Sequence, residues 1–360
     1  MYTQPLVVLP TFAIGRGILR DFEKLAAPLG NRFSVVGGER AMKAGLPLLG
    51  TSSLTLLDNL PFGGECTDSA VSRLCAKVSA NRPDFLVGMG GGKAIDTAKM
   101  VANALDLPLL SIPTLISNCA PITALSVVYR EDGPFDRFEF FPGPPTLTLI
   151  DLDLAVTAPW EYLRAGMGDA LAKYPESTFS ARNDRLGESI DHMSLMGVTL
   201  SSTCWEPILR FGEAAIHEFQ EGCPGSALEI VARSIILSAG LVSLMAHDSY
   251  NCALAHSICY GLQLIPRVEK EFLHGDLVAY GALVQLVLDG QMDQASRLRK
   301  FLQTIGTPTS LRQMGLPLHR PALEASLHAA VTAPDMQHVP YPVTAEMIFA
   351  AMTLVESDTL

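Results

Sequence analysis

Asp169 in "AGMGDALAKY", His256 in "CALAHSICYGL" and His274 in "EFLHGDLVAYG" are the residues whose types point first to chemistry. Two imidazoles and one carboxylate are the usual set for a catalytic divalent ion, zinc or ferrous iron, that keeps one coordination position open. Eighteen residues separate the two histidines, and one unbroken helix would hold them about 27 Å apart. Pro266 interrupts that segment, so two helices can fold back and bring the rings together. The alternative at this level is that each histidine is a satisfied core residue on an apolar helix.

A second constellation lies in "FLVGMGGGKAIDTAKMVA", residues 85–102. Gly88, Gly90, Gly91 and Gly92 close an apolar run and open a helical one at Lys93. Ile95, Ala98, Ala102 and Leu105 share one helical face, and the strand-like "LPLLSIP" follows, which makes a β-α-β unit. Glycines at that turn let a backbone approach a ligand, and the helix N-terminus offers free N–H groups and a positive dipole end to a pyrophosphate. Lys93 adds charge at the same place, while Asp96 is either a cofactor residue or no more than a complement to the helix dipole in its first turn. The pattern is neither Gly-x-Gly-x-x-Gly nor a Walker loop, so a tight turn that packs helix on sheet and binds nothing is the alternative.

The elements that must position these residues differ between the two halves. Up to about residue 150, "RFSVVGG", "DFLVGMG", "LPLLSIPT", "ALSVVY" and "TLTLID" read as strands, several apolar throughout as buried parallel strands are. "ILRDFEKLAAPL" and "KAIDTAKMVANAL" read as helices between them. After about residue 155 strand signals nearly vanish and Ala-, Leu- and Met-rich helical stretches take over. The expectation is therefore an α/β N-terminal nucleotide-binding domain with a parallel sheet, residues 1–157, and an all-α helical metal-binding domain, residues 158–360.

Composition excludes several classes. The net charge of −11, without a Lys/Arg run, argues against a nucleic-acid partner. The charge-free stretch "SIILSAGLVSLMA" is shorter than the roughly 20 residues a membrane span needs and reads as a buried helix. Seven cysteines without a Cys-x-x-Cys fit reduced thiols, and with them a cytoplasmic location.

With both constellations in view, the chain resembles the iron-dependent alcohol dehydrogenase superfamily, on the branch of glycerol dehydrogenase, with hydroxycarboxylate dehydrogenases among the most similar. "GGGKAIDTAK", "IPT…APITALSVVY", "AGMGDALAKY", "ALAHSICYGL" and "FLHGDLVAYG" stand in the family's order, and the resemblance covers roughly residues 5 to 355. It implies a dehydroquinate synthase-like fold, a nicotinamide cofactor NAD(P)(H), one Zn2+ or Fe2+ ion and a homo-oligomer acting on a small molecule. Carried over by motif, Gly91, Gly92 and Lys93 hold the pyrophosphate, and Thr114, Ser117, Thr123, Leu125 and Tyr129 line the nicotinamide side. Asp169, His256 and His274 become the metal ligands.

Three departures narrow the expectation. Cys119 replaces the Asp with which glycerol dehydrogenases hold a substrate hydroxyl, Cys259 replaces a second His three residues after the first ligand, and Pro175 interrupts a segment helical in relatives. Cys259 is expected to line the substrate pocket. Gly38 stands where NAD-using relatives carry an Asp that repels a 2′-phosphate, and Arg40 just beyond could pair with one, which favours NADP(H); Glu39 pulls the other way. The resulting function is metal-assisted hydride transfer between NAD(P)(H) and a small 2-oxo or 2-hydroxy acid, or a related small alcohol. The alternatives are a glycerol or other polyol dehydrogenase, a lyase of the dehydroquinate-synthase type, which should need more basic residues than Lys173 and Arg267, and a non-catalytic cofactor-binding protein.

Overall fold

The computed structural model describes residues 7–50, 53–182, 190–246 and 248–357. Six apolar runs form one sheet: β1 (Phe12–Gly15), β2 (Arg32–Gly37), β3 (Thr55–Pro61), β4 (Phe85–Gly90), β5 (Leu109–Pro113) and β8 (Leu147–Asp151). Their order is β1-β8-β5-β4-β2-β3, and every pairing is parallel. The central strand β4 is buried from end to end, which explains why its sequence shows no polar alternation. Phe85, Val87 and Met89 face one layer of the core, with Phe22, Phe33 and Leu110. Leu86 faces the other, with Leu74, Ala98 and Val101.

After β2 and β3 run outward on one side, β4 returns to the far side of β2 and the chain continues to β5. The strand order thus reverses between β2 and β4, and in open α/β sheets ligands bind beyond the carboxyl ends of the strands at such a point. Gly38 and Gly90 lie there side by side, with the Gly38 N–H donating to the Met89 carbonyl at 3.1 Å.

Several elements depart from the sequence reading. "ALSVVY" forms strand β6 (Leu125–Tyr129), but it pairs antiparallel with β7 (Phe135–Phe140) in a separate hairpin. "ILRDFEKLAAPL" is a 3-10 turn, a five-residue α-helix and a second 3-10 turn, because Pro28 lacks the N–H that would extend the helix. Strands β1, β3 and β7 and the helices Glu39–Gly45 and Asp68–Asn81 were not expected. Pro175 does not interrupt its segment: helix Glu161–Ser180 runs through it.

The chain divides into two compact units, Met1–Trp160 with Glu218–Ala232, and Glu161–His217 with Arg233–Leu360. The second is helical. Its helix His274–Leu288 is buried on every face from Gly275 to Val287, so its sequence is apolar all round rather than striped. Among the described residues one helical run, Ser226–Met245, is long and apolar enough to cross a membrane (mean hydropathy 1.8), and 61% of it is buried inside the protein.

Candidate functional site

Three helices of the second unit carry the expected ligands. Asp169 lies in Glu161–Ser180, His256 in Leu254–Gln263, and His274 opens His274–Leu288. Glycines next to the ligands set the crossing. A Cβ on Gly168 would lie 2.3 Å from the Gly275 carbonyl oxygen, and one on Gly275 would lie 1.8 Å from that of Ala165. The two backbones touch because neither residue has a side chain, and Asp169 and His274 are delivered to each other by that contact. The same device brings in the third helix, where a Cβ on Gly281 would meet the Ala255 oxygen at 2.2 Å. The Arg164 guanidinium forks onto the buried Asp276 carboxylate at 2.8 and 3.1 Å and fixes the start of the His274 helix.

His256 Nε2 lies 3.3 Å and His274 Nε2 3.7 Å from Asp169 Oδ1. One donor atom from each of the three residues lies within 4.8 Å of the other two. Asp169 and His256 are buried, whereas the His274 side chain is 46% exposed, so the cluster opens on that side. The donor set fits a divalent ion with an open position, and both imidazoles have a partner for the nitrogen turned away from the cluster. For His256 that partner is Glu176, whose Oε2 lies 2.7 Å from Nδ1. Glu176 Oε1 accepts from the N–H groups of Ala253 and His256 at 2.8 and 2.9 Å, so one buried carboxylate both caps the His256 helix and orients the ring. Sequence reasoning passed over Glu176. The available signal was its position seven residues after Asp169, two turns along one face of a helix.

For His274 the partner is Cys259, whose Sγ lies 3.4 Å from Nδ1 and 3.7 Å from the His274 carbonyl oxygen. Cys259 is fully buried, so it stands behind a ring of the cluster and does not line an open pocket. Cys252 precedes the helix that carries His256 and Cys259, and its Sγ accepts from Lys173 Nζ at 3.6 Å. Lys173 also donates to the Asn251 side-chain and main-chain oxygens at 2.9 and 3.2 Å.

Burial and charge pull the site's groups in opposite directions. Desolvation pushes the Asp169 carboxyl up, but the hydrogen bond from His256 and the charges of His274, His256 and Lys173 outweigh it and hold it at about 2. Desolvation would lower His256, yet the charges of Cys252 and Glu176 and the hydrogen bond to Asp169 raise it well above the ordinary value. His274 is lowered, because desolvation of the ring and the charge of His256 outweigh the pull of Asp169. Burial raises the Cys259 thiol far above its usual range, so it stays protonated.

The glycine turn of the first unit is also accounted for residue by residue. A Cβ on Gly88 or Gly90 would strike Ala98 or Ala94 of helix Gly92–Ala104 at 2.8 and 2.7 Å, and Gly90 has φ +153°. Gly91 and Gly92 instead face the loop after β5, where an added Cβ would lie 2.7 Å from Leu115 and 2.8 Å from Asn118. No side chain caps the helix at Gly91, which leaves its first N–H groups for a ligand. Lys93 Nζ lies 2.5 Å from Glu65 Oε1 and 4.8 Å from the centre of the Tyr129 ring. Burial, with the charges of Asp96, Glu65 and Cys66, pushes the Tyr129 hydroxyl up to about 12.

The other residues carried over are placed as follows. Thr114 is buried, and its N–H donates to the Gly90 carbonyl at 3.0 Å; Ser117 and Cys119 are half-buried. Gly38 caps helix Glu39–Gly45 with Glu39 and Arg40 exposed beside it, and a Cβ there would meet only ordinary contacts, 3.7 Å to Ala41 and 3.9 Å to Phe62. Asp96 lies in the second turn of its helix, not the first, and is buried. Its carboxylate meets Lys99 Nζ at 2.8 Å and accepts from the Val127 N–H at 3.2 Å, so it points into the packing under the hairpin rather than at the turn. The Thr123 hydroxyl and the Leu125 carbonyl are likewise engaged by Lys99.

Comparison with known proteins decides the family. Residues 10–151 match the iron-containing alcohol dehydrogenases. A glycerol dehydrogenase of Thermotoga maritima is 34% identical over 300 residues, 81% of this chain and 79% of that one. The chain belongs to the iron-containing alcohol dehydrogenase family. Hydroxycarboxylate dehydrogenase A of Escherichia coli is also similar to this dehydrogenase, 32% identical over 82% of its chain and 81% of the relative. A probable glycerol dehydrogenase structure from Sinorhizobium meliloti superposes with a TM-score of 0.85 at 26% identity, covering 98% of both chains. The protein is therefore an oxidoreductase with the iron-dependent alcohol dehydrogenase fold that the resemblance implied.

Proposed function

We propose that this enzyme transfers hydride between NAD(P)(H) and a small 2-oxo or 2-hydroxy acid, at a divalent metal held by Asp169, His256 and His274. The convergence of those three side chains on one open-sided point carries the reading. When bound, Zn2+ or Fe2+ polarises the reacting oxygen and the nicotinamide gives or takes the hydride. The protein's part is positional. Asp169 stays ionised at every physiological pH, Glu176 fixes the His256 ring, and the buried Cys259 backs the His274 ring. In the first unit the uncapped helix at Gly91 and Gly92, with Lys93 beside it, accepts the pyrophosphate. Thr114, Ser117, Thr123, Leu125 and Tyr129 flank the nicotinamide.

The acid substrate is supported by similarity to hydroxycarboxylate dehydrogenase A and by Cys119, which cannot accept a substrate hydroxyl as a carboxylate would. Similarity to the glycerol dehydrogenases supports a second reading, oxidation of glycerol or another polyol. NADP(H) is preferred on this proposal because Gly38 leaves room and places no carboxylate at that position, and the exposed Arg40 is there to pair with a 2′-phosphate against the opposing charge of Glu39. The seven cysteines without a Cys-x-x-Cys support a cytoplasmic location, and the family resemblance supports a homo-oligomer.

Metal analysis and steady-state kinetics test this together. Wild-type protein should hold one divalent ion and oxidise NADPH with a panel of 2-oxo acids faster than with dihydroxyacetone. His256→Ala should lose metal and turnover and keep nucleotide binding. A His256→Ala protein that keeps full activity would overturn the assignment.

A further inference from the structure

Lys99 is a fully buried cation to which the proposed chemistry gives no role; its side chain is 2% exposed. It lies on helix Gly92–Ala104, two turns below the glycine turn. Its Nζ donates to the Ala120 carbonyl at 3.1 Å, to Thr123 Oγ1 at 3.3 Å and to the Leu125 carbonyl, and it faces Asp96 Oδ1 at 2.8 Å. An ammonium has three N–H donors, and all three go to one short segment, the 3-10 turn Ala120–Ile122 and the start of β6. Asp96 ties the same segment from the other end. Its carboxylate accepts from the Val127 N–H at 3.2 Å, and its main-chain oxygen accepts from Ser126 Oγ at 3.0 Å.

Burying an ion pair is not a cheap way to stabilise a core, since apolar residues of similar volume do as well or better. An apolar pair, however, would leave the inward-facing carbonyls of Ala120 and Leu125 without these donors. Lys99 supplies donors to a segment whose backbone turns its oxygens toward the helix. We propose that Lys99, balanced by Asp96, is a positioning residue that staples segment 120–127 to the helix whose N-terminus meets the pyrophosphate, and so fixes the nicotinamide side of the cofactor site relative to its phosphate side. The inference rests on the reading above that this segment flanks the nicotinamide.

The staple predicts a split between two ligands. ADP-ribose carries the adenosine and the pyrophosphate without the nicotinamide, so its binding depends on the glycine turn and the end of β2 but not on segment 120–127. The full reduced cofactor needs both ends in register. In the metal-loaded, full-length enzyme, Lys99→Met should bind the preferred reduced cofactor about tenfold more weakly and raise its KM, with ADP-ribose affinity within about twofold of wild type. The same split is expected for the charge-free double variant Asp96→Asn with Lys99→Met, which covers the case in which the single variant, left with an unpaired buried carboxylate, does not fold. Calorimetric titration of both ligands reads the result. Equal weakening of the two, or no change in either, overturns the staple. A wild-type protein that binds ADP-ribose but neither NADH nor NADPH more tightly overturns the nicotinamide reading instead, and the proposal with it.

Discussion

Gly275→Ala should damage the metal cluster without touching a ligand. The added Cβ would sit 1.8 Å from the Ala165 carbonyl oxygen, and real Cβ atoms essentially never come closer than 3.0 Å. The helices Glu161–Ser180 and His274–Leu288 must therefore separate by at least the difference, 1.2 Å. The obstacle is backbone, so no rotamer change relieves it. Metal–ligand distances tolerate only about 0.2 Å, several times less than that shift, and the shift acts directly between Asp169 and His274. Overpacking of this kind costs about 3 kcal/mol, the upper end of its usual range, and lowers the melting temperature by roughly 5–10 °C. Affinity for the ion should fall on the order of 10–100-fold, as when an orienting partner of a ligand is lost. The assay is chelator competition with metal analysis after desalting, alongside thermal unfolding. Gly15→Ala is the control, because no atom lies within 4 Å of its added Cβ. A Gly275→Ala protein with wild-type metal affinity and melting temperature would refute the claim that this contact sets the cluster.

Glu176→Gln keeps an acceptor for the Ala253 and His256 N–H groups but can turn its amide N–H toward His256 Nδ1; metal affinity should drop about 10–100-fold with little loss of helix content, read by chelator competition and circular dichroism. Gly38→Asp fits its site, with its nearest contact at 3.7 Å, and should shift the ratio of kcat/KM for NADPH over NADH toward NADH by about tenfold; a wild-type enzyme already tenfold better with NADH ends that argument. Because the His256 pKa is raised, the metal-free imidazole carries its proton at neutral pH, and a ligand must be neutral; ion binding at pH 7 should release about one proton and strengthen as pH rises toward that pKa, which titration in buffers of different ionisation enthalpy measures. Conversely, the His256 charge pairs contribute to the stability of the metal-free protein below the ordinary pKa and lose that contribution as pH rises through the raised one, so the apo and metal-loaded melting temperatures should diverge with pH.

Much of the fold was legible because it is written in local signals. β4 is apolar at every non-glycine position since both its faces are covered, and the switch to helical spacing at Lys93 marks a β-α-β unit without any tertiary information. The elements that escaped have weak local signals. β3 is a partly exposed edge strand containing Asp58 and Asn59, β7 alternates charges with phenylalanines that remain exposed, and β1 is four residues long. Pro175 misled for a related reason: a proline argues for a break, but a helix held on several sides by packing can carry one. At the site, residue type and spacing left Asp169, His256 and His274 open between metal ligands and core residues, the family motifs selected them, and the fold brings their donor atoms together.

What sequence could not give was the direction of each supporting group. Asp96 and Lys99 occur in a motif read for its glycines, and a carboxylate near a helix N-terminus suggests a dipole partner or a ligand contact. Only the placement of Ser126 and Val127 against that helix turns the pair inward, since i and i+3 on a helix share a face and that face happens to be covered by the hairpin. Cys259 is the same lesson at the metal cluster. Three residues after His256 it could have faced the substrate, yet the glycine contacts bring the start of the His274 helix so close that the sulfur lies against that ring. Cys259→Ser therefore separates the two views. An oxygen in place of sulfur shortens the reach to Nδ1, so a residue that backs His274 should change metal affinity by a few-fold, within the range for orienting partners of a ligand, and leave the ranking of substrates intact. A changed substrate ranking at unchanged metal affinity would return Cys259 to the pocket wall.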